Sequence, residues 1–457
     1  MKKIGFILFF IFLGFQLKSQ SKDSAFVIRQ ILIKGNKKTK DFIIQRDLTF
    51  KAGDTIKNWQ EEKELSRKQL LNLFLFNEVY IELVDHCAVI TVLERWYIWP
   101  IPIVELADRN FNQWWLSKDL SRLIYGIELK WHNIGGLNHT LLLDAQTGYT
   151  RKININYKVP YINKKLTWGL QVNMGTSANR ELWYRTINDK VAFFRNNDLV
   201  IVNRKNFELK ATHRKRINNY HQPYIGYRYT RVSDTVLRDQ VNSNYLLNKN
   251  INYQNEYYLG YQFTHDKRDF RGFPLTGHYF KASIEGPYFL KQKSPIINIK
   301  LQASKYHQIK SNWFLSAGTI LRYFNLNKIP YSNIQALGYN REIIRGYELN
   351  VIDGNHFILG KSELKYRFLN KKYPLKYEFK GYKELPCYAF VSSFYDIGYV
   401  KNNNKMAIID NLLPNEWQYG YGIGLNVVFF YDYCVRLEYS NNKYDFHRMY
   451  LNFIAPI

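Results

Sequence analysis

The side chains of this 457-residue chain that could do chemistry are ten histidines, three cysteines and a wide scatter of carboxylates and arginines. Metal ligation needs His, Cys or carboxylates at short, repeated spacings. Neither the histidines nor Cys87, Cys387 and Cys434 offer such a spacing. Nucleophilic catalysis needs a base and an orienting group in a recognisable setting, and no Ser, His and Asp set supplies one. Gly420-Tyr421-Gly422-Ile423-Gly424 has the glycines of a dinucleotide loop, but the spacing is wrong and no helix follows. A tightly packed strand is the better reading. An enzyme, a metal and a cofactor are therefore not expected. The cysteines, odd in number and far apart, argue against a disulfide scaffold and read as packing residues. What remains is charge in short motifs: Asp266-Lys267-Arg268-Asp269, Ile344-Arg345-Gly346-Tyr347, and the carboxylates Glu363 and Asp396. Taken alone, Arg345-Gly346-Tyr347 is an ordinary surface turn.

The elements that carry these motifs are short strands. Aromatic residues make up 17% of the chain, with 37 Tyr and 30 Phe, while a mean hydropathy of −0.39 is too polar for a bundle of membrane helices. That pairing suits transmembrane strands, which meet lipid with every second residue. From Pro100 onward alternating segments follow one another. In the clearest, Ile297, Ile299, Leu301 and Ala303 face lipid while Asn298, Lys300, Gln302 and Ser304 face the lumen. Others are Lys152 to Lys158, Tyr257 to Phe263, Phe280 to Ile284 and Ile423 to Val428. The expected fold is mainly β, a 16-stranded antiparallel transmembrane β-barrel over residues 97–457. Ile101 to Glu105 reads either as linker or as first strand. Closure is required, because an open edge in lipid leaves backbone groups unpaired.

Residues 1–20 read as a signal peptide: Lys2 and Lys3 precede the apolar run Ile4 to Phe15, which is too short to span a bilayer. Residues 24–96 read as a small α/β domain. Phe26 to Lys34 alternates and ends at Gly35-Asn36. Thr39 is placed to cap a helix that buries Phe42, Ile43 and Leu48, and Asn58 to Leu73 forms a second helix with Leu65, Leu70 and Leu73 inward. Val79 to Leu83 and Ala88 to Leu93 close the unit as a hairpin turning at Asp85-His86. The formal charge of +27 is spread singly along strands and turns, as at Lys152, Lys281, Lys300 and Lys305. That pattern favours lumen lining and lipopolysaccharide phosphates over nucleic acid, for which no basic helix or binding motif is present.

The strand, helix, helix, strand, strand order, with Gly35-Asn36, Thr39, Gly53-Asp54, Phe76-Asn77 and Val92-Leu93-Glu94-Arg95, resembles a polypeptide-transport-associated (POTRA) domain. Three patterns downstream together resemble the BamA/TamA superfamily of outer-membrane assembly and translocation barrels. Asp266, Arg268 and Asp269, with Pro274 and Gly277 behind them, are similar to the family's strand-and-turn signature. Ile344-Arg345-Gly346-Tyr347 matches the motif at the tip of a long loop folded back into the lumen, although Tyr339 stands where a second glycine is common. Phe394, Asp396 and Gly398 form the third pattern, with Glu363 on the strand between it and the loop. The resemblance implies that acidic residues of the inner wall hold Arg345, Asp396 first and Glu363 second. Chemistry supplies the reason: a permanently charged guanidinium in a partly dry lumen needs a carboxylate for its fork of donors. The terminal Phe453-Ile454-Ala455-Pro456-Ile457 departs from the family's aromatic ending, and Pro456 stops the last strand near Ile454.

The resemblance further implies location in the cell outer membrane with the amino-terminal domain in the periplasm. It implies a factor that assembles outer-membrane proteins or translocates them, with unfolded outer-membrane or secreted proteins as clients and outer-membrane lipids, including lipopolysaccharide, as surroundings. Lipoprotein accessory subunits are a partner class it leaves open. The competing reading is a passive pore or surface adhesin of the same architecture.

Overall fold

A computed structural model describes residues 25–454, apart from 107–110, 197–198, 217, 238–240, 290–295, 326–329, 380–381, 404–410 and 430–432. The expected signal peptide and the terminal Ala455, Pro456 and Ile457 lie outside the described residues.

In the amino-terminal domain β1 (Gln30–Lys34) runs parallel to β3 (Cys87–Glu94), which pairs antiparallel with β2 (Phe76–Val84). The strand last in sequence is thus central, and β1 and β2 are edges. Gly35 takes φ +86°, and a Cβ there would stand 2.1 Å from the Val92 carbonyl oxygen, so the turn after β1 needs glycine. Helices α1 (Asp41–Arg46) and α2 (Trp59–Leu71) belong to a core of Ile43, Ile44, Leu48, Phe50, Leu70, Phe76, Ile81 and Ile90. Asn58 caps α2 by accepting from the Glu61 N–H at 3.1 Å. Two expected core residues are exposed: Phe42 and Leu65. On α2 the buried face runs through Ser66 and Leu70, four apart, and Leu65 points to one side of it. Nor does Thr39 cap α1, whose N-cap residue is Lys40. The Thr39 hydroxyl is committed elsewhere, donating to Glu94 at 2.6 Å and accepting from the Asn133 amide at 2.8 Å.

Asn133 belongs to the barrel, so that bond is part of a dock. Sixteen strands form one antiparallel sheet in strict chain order, from Ile98–Leu106, which settles the ambiguous first strand, to Arg448–Ile454. Most have 7 to 15 residues, but His356–Phe379 and Tyr382–Lys401 have 24 and 20 and project past their neighbours as a long hairpin. Alternation puts Leu259, Tyr261, Ile284 and Leu301 outward and exposed. The α/β domain meets the turns at one rim, here called proximal. Lys40 N–H donates to the Gly136 carbonyl at 3.0 Å, Arg46 Nε to the Leu166 carbonyl at 2.7 Å, and Phe74 stacks edge-on to Phe270. At the centre Asp47 pairs with Arg214 at 2.5 Å and Arg46 at 3.2 Å, with the Arg46 guanidinium 3.8 Å over the Tyr161 ring. Burial holds the Arg46 guanidinium below its ordinary pKa, against the pull of Asp47.

Asp47→Ala leaves two nearly buried arginines facing each other, at a cost of about 3 kcal/mol of docking. A roughly hundredfold rise in the undocked population follows. Limited trypsin digestion should then cleave after Arg95 far faster than in the parent chain. An unchanged rate shows that the dock does not depend on this carboxylate.

Candidate lumen arginine site

The loop between strands Trp313–Phe324 and His356–Phe379 turns back into the barrel instead of standing over it. A small ladder between Gln335–Leu337 and Ile352–Asp353 forms its stem. Gly338, at φ +88° with the Asn350 carbonyl 2.4 Å from where a Cβ would lie, lets the chain leave the stem. Lys300 on the wall pairs with Glu342 of the loop at 2.5 Å. The tip, Ile344 to Tyr347, is buried, with Arg345 only 6% exposed.

Asp396, 0% exposed, takes the guanidinium in a two-point fork: Nε to Oδ2 at 2.9 Å and the second amine to Oδ1 at 2.6 Å. The Arg345 backbone N–H also donates to Asp396, at 3.1 Å, so one carboxylate fixes both side chain and turn. The same amine donates to the Ser362 carbonyl at 3.2 Å, and Phe394 lies flat beneath the guanidinium at 3.9 Å. Glu363 stands 3.6 Å away, and so does Glu438, which motif reading missed. Its register with inward Gly424 is the signal that could have found it. Lys361, Lys365 and Arg436 stand beside Asp396, Glu363 and Glu438 in turn, at 3.6, 3.3 and 3.8 Å, so every buried carboxylate of the cluster has a second cation besides Arg345.

Neighbouring residues seat the tip. Tyr347 donates to Gln418 at 2.9 Å, and Asn442 donates to the Gly346 carbonyl at 2.9 Å. The glycine run serves the loop, not packing alone. A Cβ on Gly420 would lie 1.8 Å from the Arg345 carbonyl oxygen, one on Gly422 2.8 Å from the Phe394 ring, and one on Gly398 2.6 Å from Ile344. Tyr339, where a glycine was more usual, instead reaches across the distal mouth: its hydroxyl bonds Asp353 and Thr186, and its ring tilts against Trp183.

The Asp266 motif sits elsewhere. Arg268 forks onto Asp266 with two bonds of 2.8 Å, Arg271 adds a third contact, and Asp269 caps the turn through the Phe270 and Leu275 N–H groups. Pro274 lies within that turn, and Gly277 closes it at φ +100°. The turn pushes Phe273 into the barrel against Phe390, and Lys365 lies 5.2 Å over the Phe273 ring. Motif and loop thus meet through Lys365, one from the proximal side and one from the distal side.

The profile of the Omp85 superfamily domain matches residues 133–429, well over half of the chain. The chain belongs to the Omp85 superfamily. Among solved structures it is similar to BamA from Haemophilus ducreyi lacking POTRA domains 1-3, at TM-score 0.53 and 15% identity over 93% of this chain and 83% of that one. It is similar to CdiB from Acinetobacter baumannii at 0.53 and 12%, covering 93% and 73%, and to CdiB from Escherichia coli at 0.53 and 9%, covering 97% and 92%. At these identities the likeness is one of fold. No curated protein matches the sequence. Membership makes the chain an outer-membrane Omp85 barrel and places it, at the level of the family, with the insertion or secretion of proteins.

Proposed function

We propose that this Omp85 protein is a non-enzymatic factor that inserts unfolded client proteins into the outer membrane or passes them across it. In this reading residues 24–96 are a POTRA-like client-binding domain in the periplasm, residues 97–457 form the membrane barrel, and residues 1–20 are a removed leader. Lipopolysaccharide surrounds the distal end, and lipoprotein subunits are candidate accessories. Arg345, held by Asp396 and Glu363, is the clamp that keeps the lumen loop seated.

The observation that carries this reading is a three-stranded sheet docked under the proximal rim of a barrel that is filled from both ends. Its edge strand β2 presents Tyr80 (55% exposed) and Val84 (51% exposed) on the face away from the helices. An extended client can add to such an edge through main-chain bonds without matching a sequence. A passive pore, the competing reading, needs a continuous wet lumen. Here Phe273 and Phe390 meet from below, the Arg345 cluster fills the middle, and Leu182, Ile201, Tyr245, Phe324 and Tyr331 form an apolar cap among the distal loops. Client folding would supply the energy.

Deleting residues 25–95 should deplete a subset of outer-membrane or surface proteins severalfold while leaving the barrel itself inserted, as read by quantitative proteomics of the membrane fraction. Unchanged levels of all of them would leave a pore or adhesin as the better account.

A further inference from the structure

Six of the ten histidines, His139, His213, His221, His265, His278 and His307, lie near the proximal ends of six barrel strands. Five of them share their strand's outward face with exposed apolar or aromatic residues: Phe207 with His213, Ile225 with His221, Leu259 and Tyr261 with His265, Phe280 and Ile284 with His278, Leu301 with His307. Register makes them neighbours. Trp168 lies opposite His213, His213 opposite His221, and His221 opposite Phe263. The rings touch in sequence, with centroids 4.6, 6.2 and 5.1 Å apart, and His265 stacks on His278 at 5.1 Å with the two Nε2 atoms 3.0 Å apart. Membrane barrels ordinarily carry Trp and Tyr at this level. An imidazole band there is a different chemistry.

We propose that this band binds the phosphate groups of phospholipids in the leaflet nearest the α/β domain, and binds them more tightly as pH falls. The inference rests on the membrane orientation given under the proposed function. Imidazole is the side chain whose ordinary pKa, about 6.5, lies within reach of small pH changes. Facing the band are the hydroxyls of Tyr157 and Tyr261, bonded to His139 and His221 at 3.0 and 2.6 Å, the Asn219 amide on His265, and the cations Lys267 and Lys305. The nearest carboxylate, Asp266, is buried and held by Arg268 and Arg271. Among the described residues no acidic side chain shares the outward register of this band. Protonating both members of the His213–His221 or His265–His278 pair puts like charges within about 6 Å. A phosphate between them removes the repulsion and accepts from both rings. Phosphate is thus the partner that lets the band charge.

The test uses the full chain in vesicles of phosphatidylcholine, with or without phosphatidylglycerol, at about pH 5.5 and about pH 8, on either side of the imidazole pKa. Native mass spectrometry after extraction reads retained phosphatidylglycerol, and the heat-unfolding midpoint reads its effect on the barrel. Retention severalfold higher at the lower pH, with a matching rise in midpoint, is the expected result. His265→Gln with His278→Gln should remove a large part of the pH-dependent increment, and adding His213→Gln and His221→Gln should remove most of the remainder. Equal retention at both pH values, or an unchanged increment in the doubly substituted chain, overturns the proposal. The parent chain's own pH comparison stands even where the fourfold variant does not fold. No client is present, so failure of the assembly reading leaves this outcome untouched.

Discussion

Arg345→Ala is expected to release the lumen loop and lower the barrel's stability by about 3–5 kcal/mol. The substitution strips its fork from Asp396, which is fully buried, and removes a counter-charge from Glu363 and Glu438 at 8% and 1% exposure. Lys361, Lys365 and Arg436 remain and share the three carboxylates. They hold the loss to that range, but none can reproduce the two-point fork, and only the backbone N–H at position 345, which alanine keeps, still ties the loop to Asp396. The loop tip should become a protease target between Gly338 and Val351, and the heat-unfolding midpoint should fall. Arg345→Lys should recover only part of either property, since an ammonium cannot reproduce the two-point fork. A midpoint and digestion pattern equal to those of the parent chain would make the cluster incidental to loop placement.

Gly420→Ala should mimic that loss without touching a charge. Its new methyl meets the Arg345 carbonyl oxygen at 1.8 Å, and the obstructing atom is backbone, so either loop tip or wall must move. Overpacking of this kind costs about 1–3 kcal/mol where the neighbour can yield. The control is Gly424→Ala, whose nearest neighbours are side-chain atoms, the Ser392 hydroxyl at 3.0 Å and Glu438 Cγ at 3.3 Å, with no backbone atom closer than 3.5 Å. Gly420→Ala should show the digestion pattern of Arg345→Ala, while Gly424→Ala should stay close to the parent. Equal behaviour of the two variants would mean that the loop is not seated on this strand.

The wall was legible because strand alternation has a period of two and lipid selects one face of it. Arg345, Asp396 and Glu363 were nameable through the family resemblance of their motifs, which pairs the loop arginine with inner-wall carboxylates, and a dry lumen supplies the physical reason for that pairing. Glu438 was not, because nothing local marks one inward carboxylate on a strand as nearer than another; register across four strands decides it. Thr39 was misjudged for a related reason. It looked like a local cap residue, yet its hydroxyl bonds Asn133, more than ninety positions away, and the Tyr339 hydroxyl likewise reaches Thr186, a contact no local pattern announces. Phe42 and Leu65 fit a helical stripe on paper, but short helices on a three-stranded sheet bury only a narrow face. The glycine run was read as tight strand packing, and only the folded-back loop reveals what fills the space the glycines leave.

Client handling is tested most directly by adding an unfolded outer-membrane barrel protein to lipid vesicles with and without the reconstituted full-length chain, and following its folding by heat-modifiable mobility on gels. Several-fold faster folding with the chain present, lost on deleting residues 25–95 and weakened by Arg345→Ala, is the predicted result. Identical folding rates in bare and loaded vesicles, with the chain itself folded and inserted, would contradict it.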